Sequence, residues 1–310
     1  MKILVTGAAG YLGSILTPYL VRMDNSEHKV VAVDNFMRKV PSLVEVCHYH
    51  NFEIIRKDVR KLKPWFFQMF DVIIWLAAIV GAPACEQNVQ KAKEVNLDSV
   101  RNLVWNTPTS TKILFPCTNS GYGEGEGAVD ESCELKPLSF YGQTKVLAEE
   151  LILERENSIS FRLATLFGMS PRMRIDLLVN DFTYRALKDS SLVVYQGHYL
   201  RNAVHVRDAA RAFLHGLKNF EAMKGEAYNV GLPEANLSKL DLCARIKKHI
   251  PDFYYHEAPY REDPDQRNFA LDSSKLLKTG FKFKHSLDDG IRELIKGYKQ
   301  IENRRFCNVI

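Results

Sequence analysis

The sequence has no apolar run of the ~18–20 residues that a membrane-spanning helix needs, so no membrane partner is expected. It has six cysteines in 310 residues, at 47, 85, 117, 133, 243 and 307. None forms a Cys-x-x-Cys pair, which excludes a disulfide-stapled scaffold and gives no metal or dithiol motif. They read as small apolar residues of a chain kept in a reducing cytosol, and a cytoplasmic location is expected. No stretch gathers five or six basic residues or interleaves them with aromatics. Nucleic acid is therefore not an expected partner, despite a net charge of +5. Repeats and low-complexity segments are also missing. The chain opens on Met1-Lys2-Ile3-Leu4, already a strand-like run, so no signal peptide is expected.

What is present has the balance of a globular protein, with 46% hydrophobic and 25% charged residues. The length suits one large domain or two intimate ones. Strands are expected at Lys2–Gly7, Lys29–Asp34, Phe52–Asp58, Asp71–Ala78, Lys112–Thr118 and Ile159–Leu166. Helices are expected between them, near Tyr11–Met23, Leu62–Phe70, Glu86–Asn106 and Tyr141–Asn157. Such alternation predicts βαβ units and a parallel sheet. Strand centres such as Val30-Val31-Ala32-Val33 and Val72-Ile73-Ile74 are continuously apolar, as strands covered on both faces should be. The expected fold is α/β: a Rossmann-type, doubly wound parallel sheet over residues 1–168, with a returning segment near 201–233. A smaller α/β lobe over 169–200 and 234–310 would hold a substrate.

Gly7-Ala8-Ala9-Gly10-Tyr11-Leu12-Gly13 links the first strand to the first helix. Gly7 suits the tight turn, Gly10 lets backbone approach a pyrophosphate, and Gly13 lets the helix pack on the sheet. The helix N-terminus then offers free N–H groups to phosphates. Asp34 ends the second strand, where a carboxylate accepts ribose hydroxyls and repels a 2′-phosphate. Arg38, just beyond, is of the kind that holds a 2′-phosphate, but the pattern as a whole favours NAD. Asp58-Val59 ends the third strand within reach of an adenine. Leu76-Ala77-Ala78 ends the fourth with side chains small enough for close cofactor approach.

Tyr141 and Lys145 stand at i and i+4 and share a helical face. A lysine there would hold a nicotinamide ribose hydroxyl and depress the phenol's pKa, which starts near 10, toward a general base. Thr118 closes the fifth strand and places a hydroxyl beside that tyrosine.

Together these residues, with Asn96 and His205-Val206-x-Asp208, resemble the extended short-chain dehydrogenase/reductase family of nucleotide-sugar epimerases, dehydratases and reductases. The resemblance spans nearly the whole chain. It implies NAD held by the Rossmann domain, with Asn35, Asn96 and Leu166 also along the cofactor. It implies a nucleoside-diphosphate sugar in the second lobe and a homodimer formed through the helices near 86–106 and 141–157. The implied chemistry begins with oxidation at C4 by Thr118, Tyr141 and Lys145.

The dehydratase branch has Asp-Glu directly after the threonine, whereas this chain has Asn119-Ser120, so water elimination is disfavoured. The UDP-galactose epimerase branch has asparagine at Thr165 and often histidine at Trp75. Val80-Gly81-Ala82-Pro83, Thr118–Gly123, Phe161–Thr165, Ser170–Arg174, Leu178–Phe182 and Asp263-Pro264-Asp265 resemble the branch that oxidises C4 of GDP-linked heptoses. A GDP-linked sugar is therefore the favoured substrate. On the substrate side the resemblance implies Val80, Gly81, Asn119, Ser120 and Asn180. Arg172, Arg174, Arg201 and Arg267 are expected on the diphosphate, since guanidinium grips phosphate bidentately. A 4-epimerase or 4-keto reductase would use the same three catalytic residues. A non-catalytic NAD-binding regulator is disfavoured because all three are present.

Overall fold

In the computed structural model, residues 1–125, 127–258 and 267–301 are described; Asp263-Pro264-Asp265 and Cys307 lie outside them. The strands are β1 (Lys2–Thr6), β2 (Lys29–Asp34), β3 (Phe52–Arg56), β4 (Val72–Trp75), β5 (Lys112–Thr118), β6 (Ala128–Val129), β7 (Ser158–Leu163), β8 (Thr165–Phe167), β9 (Ser191–Val194), β10 (Leu200–His205) and β11 (Glu226–Val230). β12 (Asn236–Ser238), β13 (Tyr254–Glu257) and β14 (Ala270–Leu271) follow. A seven-stranded sheet has the order β11-β7-β5-β4-β1-β2-β3, with every pairing parallel. The order reverses beside β1, which opens a crevice at the carboxyl ends of β1 and β4.

Alternation along each strand divides the core. Ile3, Val5, Val30, Ala32, Ile74 and Leu114 face one layer, while Leu4, Val31, Val33, Ile73 and Phe115 face the other. The first helix, α1 (Gly13–Val21), starts two residues later than its apolar pattern does. α2 is only Pro64–Phe67, because proline sets its first turn. The helix expected over Glu86–Asn106 is instead α3 (Ala82–Glu86), α4 (Val89–Lys93), a wide π turn at Glu94–Asp98 and α5 (Ser99–Asn106). Asn88 breaks it by accepting the Lys91 N–H with its own side chain. α6 (Phe140–Leu153) packs on β5 and β7, and Ser139 caps it by accepting the Gly142 N–H at 3.1 Å.

The strand expected over Ile159–Leu166 also divides. β7 stays in the main sheet, whereas β8 leaves it and pairs with β10, which pairs in turn with β12. This second sheet, with α7 (Leu178–Lys188), carries the other wall of the crevice. β11 returns to the main sheet after α8 (Val206–Lys218). The His205-x-x-Asp208 motif proves to be a brace. Buried Asp208 accepts the N–H groups of Lys284 and His285, and His205 pairs with Glu293 at 2.7 Å. Among the described residues no helix is long and apolar enough to cross a membrane.

Candidate active site

A cleft of about 1130 Å³ runs between the main sheet and the second wall. It exceeds the ~300–1,000 Å³ of an ordinary small-molecule pocket and has room for two extended ligands. Gly7, Gly10, Tyr11, Leu12, Gly13, Asp34, Asn35, Asp58, Val59, Leu76, Ala77, Ala78 and Leu166 all line it, as the motifs require. Gly7 has φ +64°, and a Cβ there would lie 2.8 Å from the Ala77 nitrogen. A Cβ on Gly13 would lie 2.3 Å from the Gly7 carbonyl oxygen. The Gly7 and Gly10 N–H groups close the turn on the Val33 and Gly7 carbonyls, and Tyr11, Leu12 and Gly13 bring the helix N-terminus to the crevice, the form of a pyrophosphate cradle.

Asp34 is held by the N–H groups of Ala9 at 3.0 Å and Phe36 at 2.7 Å. Burial raises its carboxyl pKa, and those two N–H bonds and the charge of Arg172 oppose the rise. Arg172 therefore stands electrostatically beside Asp34, at the ribose end, rather than only with a substrate diphosphate. Asp58 is pinned by Arg60 at 2.7 Å, which lowers its pKa. Arg38 lines the same end, its pKa lowered by burial and by the charge of Arg174.

Tyr141, Lys145 and Thr118 meet at the far end of β5. Thr118 Oγ1 accepts the Ser120 N–H at 3.2 Å, and its side chain acts on the Tyr141 phenol, lowering its pKa. Burial pushes the phenol upward, opposed by the charge of Arg174 and by Thr118. The Lys145 ammonium sits 3.8 Å over the Phe115 ring, and burial pushes its pKa down to about 8. The lysine thus lies over the sheet, held by an aromatic face.

Val80, Gly81, Asn119, Ser120, Arg174, Arg201 and Arg267 line the remainder of the cleft. Arg267 donates to the Asn119 side-chain carbonyl at 2.8 Å, and Arg201 donates to the Arg267 backbone carbonyl. Asn119 in turn donates to Asn202. These side chains form one connected wall, buried and cationic.

Two expected site residues are set behind that wall. Asn180 is fully buried; it accepts the Gly168 N–H at 3.0 Å and donates to Tyr11 Oη at 3.0 Å and the Arg174 carbonyl at 2.8 Å. Asn96 accepts the Ile79 N–H at 2.8 Å and donates to the Ile79 carbonyl at 3.0 Å. Each amide satisfies backbone at the base of a cleft-lining loop, and neither lines the cleft. Asn180→Ala is expected to lower stability by about 2–3 kcal/mol, because buried groups lose their partners. Chemical denaturation should show that loss, with little change in turnover at a temperature where the variant is folded.

The sequence profile of the NAD dependent epimerase/dehydratase family matches residues 3–231. The chain belongs to that family. Within the epimerase/dehydratase group it is 29% identical over 253 residues to an uncharacterized UDP-glucose epimerase, YtcB, of Bacillus subtilis, covering 74% of this chain and 77% of that one. It is 28% identical to the low-salt glycan biosynthesis protein Agl12 of Haloferax volcanii, over 96% and 98% of the two chains. A crystal structure of UDP-glucuronic acid 4-epimerase from Bacillus cereus, in complex with UDP-glucuronic acid and NAD, superposes with a TM-score of 0.85. It is 27% identical and covers 97% of this chain and 100% of that one.

For an epimerase/dehydratase family member the cradle fits NAD. The cleft narrows at glycines where a Cβ would strike backbone, and Asp34 closes its ribose end. Asp176 is a cleft residue that sequence reasoning missed. Both its carboxylate oxygens accept from Arg174, Oδ1 from Nε at 3.1 Å and Oδ2 from Nη2 at 2.5 Å. The spacing Arg174-x-Asp176 was the available signal, since a carboxylate two residues on is in reach of a guanidinium.

Proposed function

We propose that this protein is an NAD-dependent oxidoreductase acting at C4 of a nucleoside-diphosphate sugar, a GDP-linked heptose or hexose, to give a 4-keto sugar. The observation that carries the reading is the meeting of Thr118, Tyr141 and Lys145 on the cleft lining beside the NAD cradle, flanked by Asn119 and Ser120 rather than carboxyl groups. Thr118 and Tyr141 orient the C4 hydroxyl, and Tyr141 Oη takes its proton. Lys145 offers its ammonium to a ribose hydroxyl. Bound NAD supplies the hydride acceptor. Arg174, Arg201 and Arg267 neutralise the diphosphate. Asn119 and Ser120 cannot deliver a proton as a carboxylic acid does, so elimination of water does not follow the ketone.

GDP is supported by the heptose-type stretches, several of which form the cleft wall: Thr118–Ser120, Arg172, Arg174, Asp181 and Phe182. A homodimer is supported by large apolar side chains left exposed on the two helices in question, Trp105 at 75% and Leu147 at 45%. The protein would work in the cytoplasm, on activated sugars of surface glycans.

The test is turnover with NAD and a panel of GDP-, UDP- and dTDP-linked hexoses and heptoses. NADH in excess of enzyme, with a C4 ketone from GDP-sugars, is the expected result. Turnover confined to UDP- or dTDP-sugars would overturn the GDP assignment. A second reading, a 4-epimerase, is favoured by the likeness to the UDP-glucuronic acid 4-epimerase structure. It predicts an inverted C4 centre with no net NADH.

A further inference from the structure

β7 is buried along its whole length, yet it alternates Ser158, Ser160 and Arg162 with Ile159, Phe161 and Leu163. A polar face inside a sheet is costly unless partnered. Its partner is Glu149 of α6, 1% exposed. Arg162 donates to Glu149 Oε1 from Nε and approaches it from Nη2, both at 2.8 Å, and Ser160 donates to Oε2. Arg162 also reaches Tyr122 Oη at 3.0 Å, and Tyr122 donates to Asn229 at 2.7 Å.

An apolar pair of equal volume is often as stable as a buried ion pair, so this one points to a role other than stability. Its location supplies the role. Tyr141, Lys145 and Glu149 fall at i, i+4 and i+8, one stripe of α6, and neighbours on such a stripe are about 5–6 Å apart at Cβ. Resting on the reading of Tyr141 and Lys145 as the catalytic pair, we infer that Glu149 is a positioning residue. Held by Arg162 and Ser160, it fixes the rotation of α6 on the sheet and keeps a negative charge one turn from the Lys145 ammonium.

The groups around Lys145 are Cys117 from β5, Cys85 from α3, Arg162 from β7, and Tyr141 and Glu149 from its own helix. Burial pushes the Cys85 thiol up to about 11 and the Cys117 thiol well above its usual value. Both are neutral near pH 8, which leaves Glu149 as the anion that favours protonated Lys145 against its burial. Removing that charge lowers the pKa of Lys145.

The experiment is NADH binding by fluorescence across pH, on the wild type, Glu149→Gln, Lys145→Met and the double variant Glu149→Leu/Arg162→Met. The wild type should lose affinity as Lys145 deprotonates, and Lys145→Met should abolish that dependence. In Glu149→Gln the midpoint should fall by about one pH unit, which makes binding about tenfold weaker at pH 9 and little changed at pH 6.5. The double variant keeps the site testable if the single one does not fold, because it does not strand the Arg162 charge. Its midpoint should shift in the same direction, but less. A lowered melting temperature with an unmoved midpoint in a folded variant would mean a purely structural pair and would overturn the proposal. Persistence of the pH dependence in Lys145→Met would overturn the catalytic-pair reading itself, and the proposal with it.

Discussion

Replacing Tyr141 by phenylalanine is expected to lower turnover about a thousandfold while NAD affinity stays nearly unchanged. The phenol oxygen is the atom proposed to take the proton of the C4 hydroxyl, and general-base contributions of this type are worth about 10²–10⁴ in rate. Phenylalanine keeps the ring that lines the cleft, so packing is preserved. The cradle of Gly7, Gly10 and Gly13 lies at the other end of the cofactor and is not altered. Stopped-flow turnover and calorimetric NAD binding on the same preparation separate the two effects. Equal loss of both would show that the tyrosine shapes the site rather than moving a proton.

Gly13→Ala should have the opposite signature. The new Cβ would lie 2.3 Å from the Gly7 carbonyl oxygen and 2.7 Å from that of Ala8, both backbone atoms that no rotamer change can clear. The turn must shift, and overpacking of this kind costs about 1–3 kcal/mol. If that shift is felt at the pyrophosphate, NAD binding weakens by about 10–100-fold. Turnover at saturating NAD should be much less affected, since Tyr141 and Thr118 stand on other elements. NAD affinity equal to wild type would contradict the assignment of this turn as the cradle.

Much of this arrangement was legible before the fold was known, and the physical reasons can be named. Continuous apolar strands and a glycine turn are local signals, and they placed β1 through β5 and the cofactor end. The meeting of Thr118 and Tyr141 on one cleft was legible because strand end and helix start bring the two positions together in such a sheet. Asn96 and Asn180 were not, because an amide serves a backbone loop as readily as a ligand, and only the fold decides which lies beside it. The path of Lys145 was also hidden. Helical spacing gave its face, but the Phe115 ring that receives it comes from a distant strand. The break after Leu163 left no mark, because Leu163-Ala164-Thr165-Leu166 reads as a continuing strand and no glycine or proline falls before Gly168. The Glu149–Arg162 pair did leave a trace, in the polar alternation of β7.

The central claim is that hydride leaves C4 of a nucleotide-linked sugar beside Tyr141. A GDP-sugar carrying deuterium only at C4 tests it most directly, with the reduced nicotinamide analysed by mass spectrometry. The account predicts deuterated NADH accumulating beyond the amount of enzyme, together with an unlabelled 4-keto sugar. Reduced nicotinamide without deuterium, from a sugar that is nonetheless consumed, would contradict it.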